Sequence, residues 1–129
     1  MPTIIFQIPG PPVPKGRHRF AGKGRVYTPP RTTKAEARVA HAARKHAPAE
    51  LPTGPVALRL VFEFGIPKSK RARGLEGAPV VVCPDLDNLV KLVKDGLNRV
   101  LWVDDSQVYR CTAEKVYGDE TRTLVEVEY

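Results

Sequence analysis

The chain has 129 residues, 42% of them hydrophobic, with a formal net charge of +7. That length suffices for one domain with a real core, and that composition is globular, so a disordered chain is not the expectation. No apolar run reaches the length of a membrane span, and Met1-Pro2-Thr3-Ile4-Ile5 lacks the charged and apolar regions of a signal peptide. A soluble, cytoplasmic protein with no membrane partner is expected. Residues 1–73 carry 15 Lys and Arg against three acids, a net +12, while residues 74–129 carry six against 11, a net −5. A basic half attracts a polyanion, and acids gathered elsewhere need a separate explanation. Cys83 and Cys111 lack metal-type spacing, and in a reducing compartment both are expected to be small buried hydrophobes.

In chain order, Thr3 to Ile8 reads as a β-branched strand closed by Pro9-Gly10-Pro11-Pro12. A Gly-rich, basic stretch follows to Tyr27, with Gly22 and Gly24 marking a turn between two arms. Thr33-Lys34-Ala35-Glu36 matches a capping box, so an Ala-rich helix is expected from there to Pro48. Val56 to Phe64 is a strand, followed by the basic, mobile segment Pro67 to Gly74. From Asp87 to Asn98, Leu89, Val90, Val93 and Leu97 share one helical face, while Lys91 and Asp95 align with Asp87 on the other. Val108 to Tyr117 and Thr123 to Tyr129 flank the turn Gly118-Asp119-Glu120 as two final strands. The order β-α-β-α-β-β predicts an α/β (α+β) fold: one domain over residues 1–129, a mixed sheet with two main helices packed on it.

The acids carry the chemistry. Asp85 and Asp87 stand where an extended segment meets a helix start, and residues i and i+2 of extended backbone project to one side, roughly 6–7 Å apart. Two carboxylates facing one point suit a hard cation such as Mg²⁺, which takes one or two carboxylates and completes its octahedron with water and phosphate. The plain alternative makes Asp87 an N-cap and Asp85 a turn residue. Asp104-Asp105 follows the helix, where a short connection would return the chain beside it. Lys91, one turn below Asp87, supplies a cation near a phosphate site, or else an ordinary i,i+4 surface pair. Together with the basic half, this pattern points to metal-assisted phosphodiester hydrolysis.

The blocks Pro84-Asp85-Leu86-Asp87-Asn88-Leu89-Val90-Lys91, Asp95-Gly96-Leu97-Asn98 and Trp102-Val103-Asp104-Asp105-Ser106-Gln107 closely resemble the RusA family of Holliday junction resolvases. Pro14 to Phe20, Tyr27-Thr28-Pro29 and Ile66 to Ser69 resemble its longer, phage-type members. The resemblance implies a homodimeric endodeoxyribonuclease that binds four-way junctions and cuts two strands symmetrically with Mg²⁺ or Mn²⁺, in recombination and repair, without a small-molecule cofactor. It implies a bacterial or phage-encoded, nucleoid-associated protein. Carried over by position, the metal-binding and catalytic acids are Asp85, Asp87 and Asp105, with Asp104 as a further candidate ligand, and the catalytic lysine is Lys91. Cys83 stands where the family often has a basic residue. Gly96 stands where a better helix former is usual, at about 1 kcal/mol to the helix.

The candidate DNA-binding residues are Lys15, Arg17, Arg19, Lys23 and Arg25 in the first basic stretch, with Lys68, Lys70, Arg71 and Arg73 in the second. Phe20 and Trp102 have rings suited to stacking on an unpaired base, although Leu101 and Val103 argue for a core role at Trp102. His18, His41 and His46 have no zinc spacing. Two other readings stand beside the resolvase: a DNA-binding protein without catalysis, and a nuclease for flaps or forks. Acids that repel phosphate argue against the first, and sequence does not separate the second from a junction enzyme.

Overall fold

The computed structural model describes residues 2–16, 19–22, 24–69 and 74–129, with the backbone alone for 19–21. Its elements are β1 (Thr3–Pro9), β2 (Arg19–Ala21), β3 (Arg25–Tyr27), α1 (Pro30–Arg44), β4 (Val56–Gly65), α2 (Leu86–Leu97), a 3₁₀ turn (Asp105–Gln107), β5 (Val108–Gly118) and β6 (Arg122–Glu128). The expected mixed sheet is present, with strand order β1-β6-β4-β5. The two arms around Gly22 and Gly24 form a separate antiparallel hairpin, β2 with β3.

β4 runs through the middle because alternate residues supply one continuous apolar face. Val56, Leu58, Leu60 and Phe62 are buried, while Arg59 between them is exposed. β6 pairs antiparallel with β4 and β1, and its buried Val125 and Val127 alternate with Glu126 and Glu128 as expected. β5 pairs parallel with β4, which requires a crossover, and α2 provides it. Val39 and Ala43 of α1 join Leu89, Val93 and Leu97 of α2 over this face, and Trp102 is fully buried in the same core.

Three expectations are corrected. The capping box at Thr33 does not form: α1 begins at Pro30, whose fixed φ and missing N–H suit the first helical position, and Pro29 is the N-cap. Thr33 is thereby drawn inside the first turn, while the buried Thr32 Oγ1 accepts from the Gly16 N–H at 3.0 Å. Neither cysteine is buried. Cys83 lies in the loop before α2 and Cys111 on β5, the last strand of the sheet, where no further strand covers it among the described residues. Partial desolvation raises the Cys111 thiol pKa, and the charge of Lys94 opposes this.

Gly96 is the third correction. A Cβ placed there would meet Val39 Cβ at 2.7 Å and the Glu36 carbonyl oxygen at 3.0 Å. The absent side chain lets α1 and α2 approach closely, so a residue that weakens the isolated helix improves the packing of the pair.

Candidate active site

Asp85 is the N-cap of α2, in extended backbone (φ −69°, ψ 138°), yet its carboxylate makes no capping hydrogen bond. Its carbonyl oxygen alone serves the helix, accepting from the Leu89 N–H at 3.2 Å. Asp87 lies in the first turn, where the helix dipole favours a negative charge, and both residues are exposed. The approach to this end is held by Lys115 of β5, whose Nζ donates to the carbonyls of Val82 and Pro84 at 2.7 Å each. The Lys15 N–H donates to the Asn88 carbonyl at 2.9 Å, fastening the N-terminal segment to the same turn.

Lys91 follows one turn on, with 64% of its side chain exposed. Its ammonium pairs with Asp95 at 3.3 Å and not with Asp87. Asp95 also accepts Lys15 Nζ at 2.9 Å, and Lys15 binds Glu36 of α1 as well. Burial lowers the Lys15 pKa, but the hydrogen bonds and charges of Glu36 and Asp95 more than offset this and hold it above the ordinary lysine value. Asp95 thus has a well-held cation in Lys15, which leaves Lys91 its looser partner.

The other end of α2 is built differently. Val100 and Leu101 turn back on the Leu97 carbonyl, and Trp102 bridges to Asn98. The fully buried Trp102 donates from Nε1 to Asp105 Oδ1 at 2.9 Å, fixing that carboxylate against the core. Asp104 caps the 3₁₀ turn: Ser106 Oγ and N–H both donate to its Oδ2. These bonds, with a smaller contribution from Arg99, hold the Asp104 pKa below the ordinary carboxylate value. Gln107 closes a capping box, its Oε1 accepting from Val103 and Asp104 and its Nε2 donating to the Pro52 and Gly54 carbonyls.

The proposed acids therefore form two groups. Asp85 and Asp87 share the start of α2, while Asp104 and Asp105 lie past its end, and 12 residues of helix span roughly 18 Å. β5 runs back alongside, with Cys111 near Lys94 and Lys115 at Pro84, which keeps the groups at opposite ends. Accordingly, no three His, Cys, Asp or Glu side chains are grouped to hold a metal among the described residues. The start of α2 still fits a hard cation: its donors are carboxylate oxygens, and Asp85 is free of any capping bond.

Among the DNA-binding candidates, Lys15 is half-buried and paired with Glu36 and Asp95, whereas Arg25 and Lys68 are exposed. Arg17, Lys23, Lys70, Arg71 and Arg73 lie outside the described residues, as does His18, and the side chains of Arg19 and Phe20 are not described. His46 stacks on Phe6, with ring centroids 5.1 Å apart, away from the acids. Lys115 was missed by the motif reading, although a signal exists: alternation puts it on the same face as Ala113, which packs against the core.

Comparison with known proteins agrees with the motif. The chain is 35% identical to the uncharacterized protein YqaN of Bacillus subtilis (strain 168) over 135 residues, covering 97% of this chain and 95% of that one. The model of the family described as endodeoxyribonuclease RusA matches residues 9–128. Since that match takes in the exposed acids at the start of α2, the tethered acid beyond its end and nearly everything between, the chain belongs to the RusA endodeoxyribonuclease family.

Proposed function

We propose that the protein resolves four-way DNA junctions as a homodimer, with Mg²⁺ or Mn²⁺ as cofactor, and that each active site is assembled from two copies. The observation that carries this reading is the separation of Asp85 and Asp87 from Asp105 by the length of α2. A family endonuclease with a divided acid set gains a complete one where a second copy brings its Asp105 to the first copy's Asp85 and Asp87. A bound divalent ion supplies Lewis acidity toward the scissile phosphate and a nucleophilic water. Asp85, Asp87 and Asp105 would hold it, and Lys91, exposed and loosely paired, would neutralise charge developing on the phosphate. Two such sites related by a twofold axis suit a substrate that is itself symmetric. The exposed Arg25 and Lys68 contact the DNA backbone, joined by Arg17, Arg19, Lys23, Lys70, Arg71 and Arg73.

The test mixes two inactive chains, Asp85→Asn and Asp105→Asn, under conditions that exchange subunits. In the mixed dimer one site has lost both acids and the other is intact. The expected result is recovery of single-strand nicking on a four-way junction in Mg²⁺, with little cutting of forked or linear duplex. A mixture as inactive as its components refutes the shared site. A preference for forks over junctions refutes the substrate.

A further inference from the structure

The question left by that reading is which surface joins the two copies, and the free edge of the sheet supplies a candidate. β5 is a terminal strand of the sheet. Near its C-terminal end the outer side is occupied: Val80 donates to the Lys115 carbonyl, and Tyr117 exchanges bonds with Gly77 and Ala78. Since Lys115 and Tyr117 direct their main-chain groups outward, the period of two directs those of Cys111 and Ala113 outward as well. Among the described residues nothing pairs with those groups. An uncovered edge of this kind is a template for another strand.

The side chains around the edge are self-complementary under a twofold axis. Exposed apolar residues flank its two ends: Val81 (89% exposed) and Val82 (60%) beside Lys115, and Tyr109 (59%) at the start of β5, with Val103 ahead of the 3₁₀ turn that leads into it. Antiparallel pairing about Thr112 sets Thr112 against the partner's Thr112 and Arg110 against the partner's Glu114, both favourable cross-strand pairs. Cys111 then exchanges main-chain bonds with the partner's Ala113. The same pairing carries each apolar end onto the other copy's opposite end.

We propose that the open half of β5, centred on Thr112, is the surface through which two copies pair antiparallel into one continuous sheet. This rests on the reading that the active site is shared, and it supplies the missing geometry. Because β5 runs back along α2, a partner strand entering antiparallel leaves the partner's Asp105 beside Val81 to Asp85. The end of one copy that lacks Asp85 and Asp87 thus meets the end of the other that has them.

The experiment replaces both native cysteines with serine and introduces Thr112→Cys. Directly opposed residues of a non-hydrogen-bonded pair have Cα atoms about 4.5 Å apart, within the range a disulfide spans. Mild oxidation is expected to give a covalent dimer on a non-reducing gel. Ile5→Cys in the same background, on the opposite edge strand β1 and 69% exposed, is expected to stay monomeric on that gel. Independently, Arg110→Glu sets like charges together and should convert dimer to monomer in sedimentation. The swap Arg110→Glu with Glu114→Arg should restore the dimer.

A folded Thr112→Cys protein without cross-link, a cross-link through position 5, or a swap that fails to rescue would each overturn the proposal. If Thr112→Cys does not fold, the charge swap decides alone. Cross-linking without complementation by mixed Asp85→Asn and Asp105→Asn chains leaves this interface standing and removes the shared site. Complementation without cross-linking does the reverse.

Discussion

The two ends of α2 are made from similar residues and held in opposite ways. At its start, Asp85 occupies a capping position and its carboxylate makes no capping bond. Beyond its end, Asp104 has the same role on the 3₁₀ turn and fulfils it, with Ser106 and Gln107 completing the cap. A helix N-cap that forgoes its bond gives up on the order of 1 kcal/mol. The difference teaches that the bonds a carboxylate makes are set by the donors its neighbours offer, not by its place in a motif.

The severest way to break that comparison is to remove the free carboxylates. Asp85→Asn and Asp87→Asn should each abolish junction cleavage in Mg²⁺ while leaving binding intact or tighter, because a ligand and a repulsive charge are lost together. Asp105→Asn should do the same. Near wild-type cutting by all three would place the active site elsewhere. Lys91→Ala should fold, bind and cut at least ~100-fold more slowly in single-turnover assays at saturating enzyme, the scale of one lost electrostatic stabiliser. A wild-type rate would reduce Lys91 to its pair with Asp95.

Trp102→Phe tests the tethered end. It keeps most of the buried ring but removes the Nε1 donor to Asp105, and loss of a partner that orients a metal ligand typically costs 10–100-fold. Titrating Mg²⁺ separates the cases: a positioning role raises the metal concentration needed, while a purely structural role lowers only the melting temperature.

The sequence shows much of this architecture, for identifiable reasons. The strands and α2 are legible because their apolar residues repeat with the period of the element, as in Val56 to Phe62 and Leu89 to Leu97. The start of α1 is not, since Thr33 to Glu36 fits a capping box that Pro30 pre-empts. Asp85 and Asp87 are expected to project to one side from extended backbone, but α2 already begins at Leu86, and residues two apart on a helix do not face each other, so only their closeness along the chain is legible. Their distance from Asp105 is not, because it depends on the direction in which Val100 to Trp102 turn. Lys15 reads in sequence as a phosphate contact, and its ion pairs with Glu36 and Asp95 are not legible there because those partners come from two different helices.

Gly96 shows the same limit and yields a smaller prediction. Helix propensity alone makes Gly96→Ala stabilising by up to about 1 kcal/mol. The contact with Val39 and the Glu36 carbonyl makes it destabilising, by roughly 1–3 kcal/mol for overpacking. A lower melting temperature with an unchanged cleavage rate per folded molecule is expected. A higher melting temperature would mean that the helices separate without cost.

The smallest effect expected is at Asp104, and it sharpens the contrast with Asp105 most directly. Adjacent acids in one motif leave open which of them binds metal. Asp104 accepts two bonds from Ser106, and its lowered pKa reflects them, whereas Asp105 uses Oδ1 toward Trp102 and takes no bond at Oδ2 among the described residues. Asparagine caps about as well as aspartate, so Asp104→Asn should keep the turn, the melting temperature and the cleavage rate near wild type. Asp104→Ala should lower the melting temperature slightly, because Ser106 loses its acceptor. Asp105→Asn, which also keeps the shape of its side chain, should be inactive. The decisive measurement is the cleavage rate of Asp104→Asn beside Asp105→Asn at saturating Mg²⁺: equal inactivity would make Asp104 a ligand despite its cap, and the distinction between the two ends of α2 would fail.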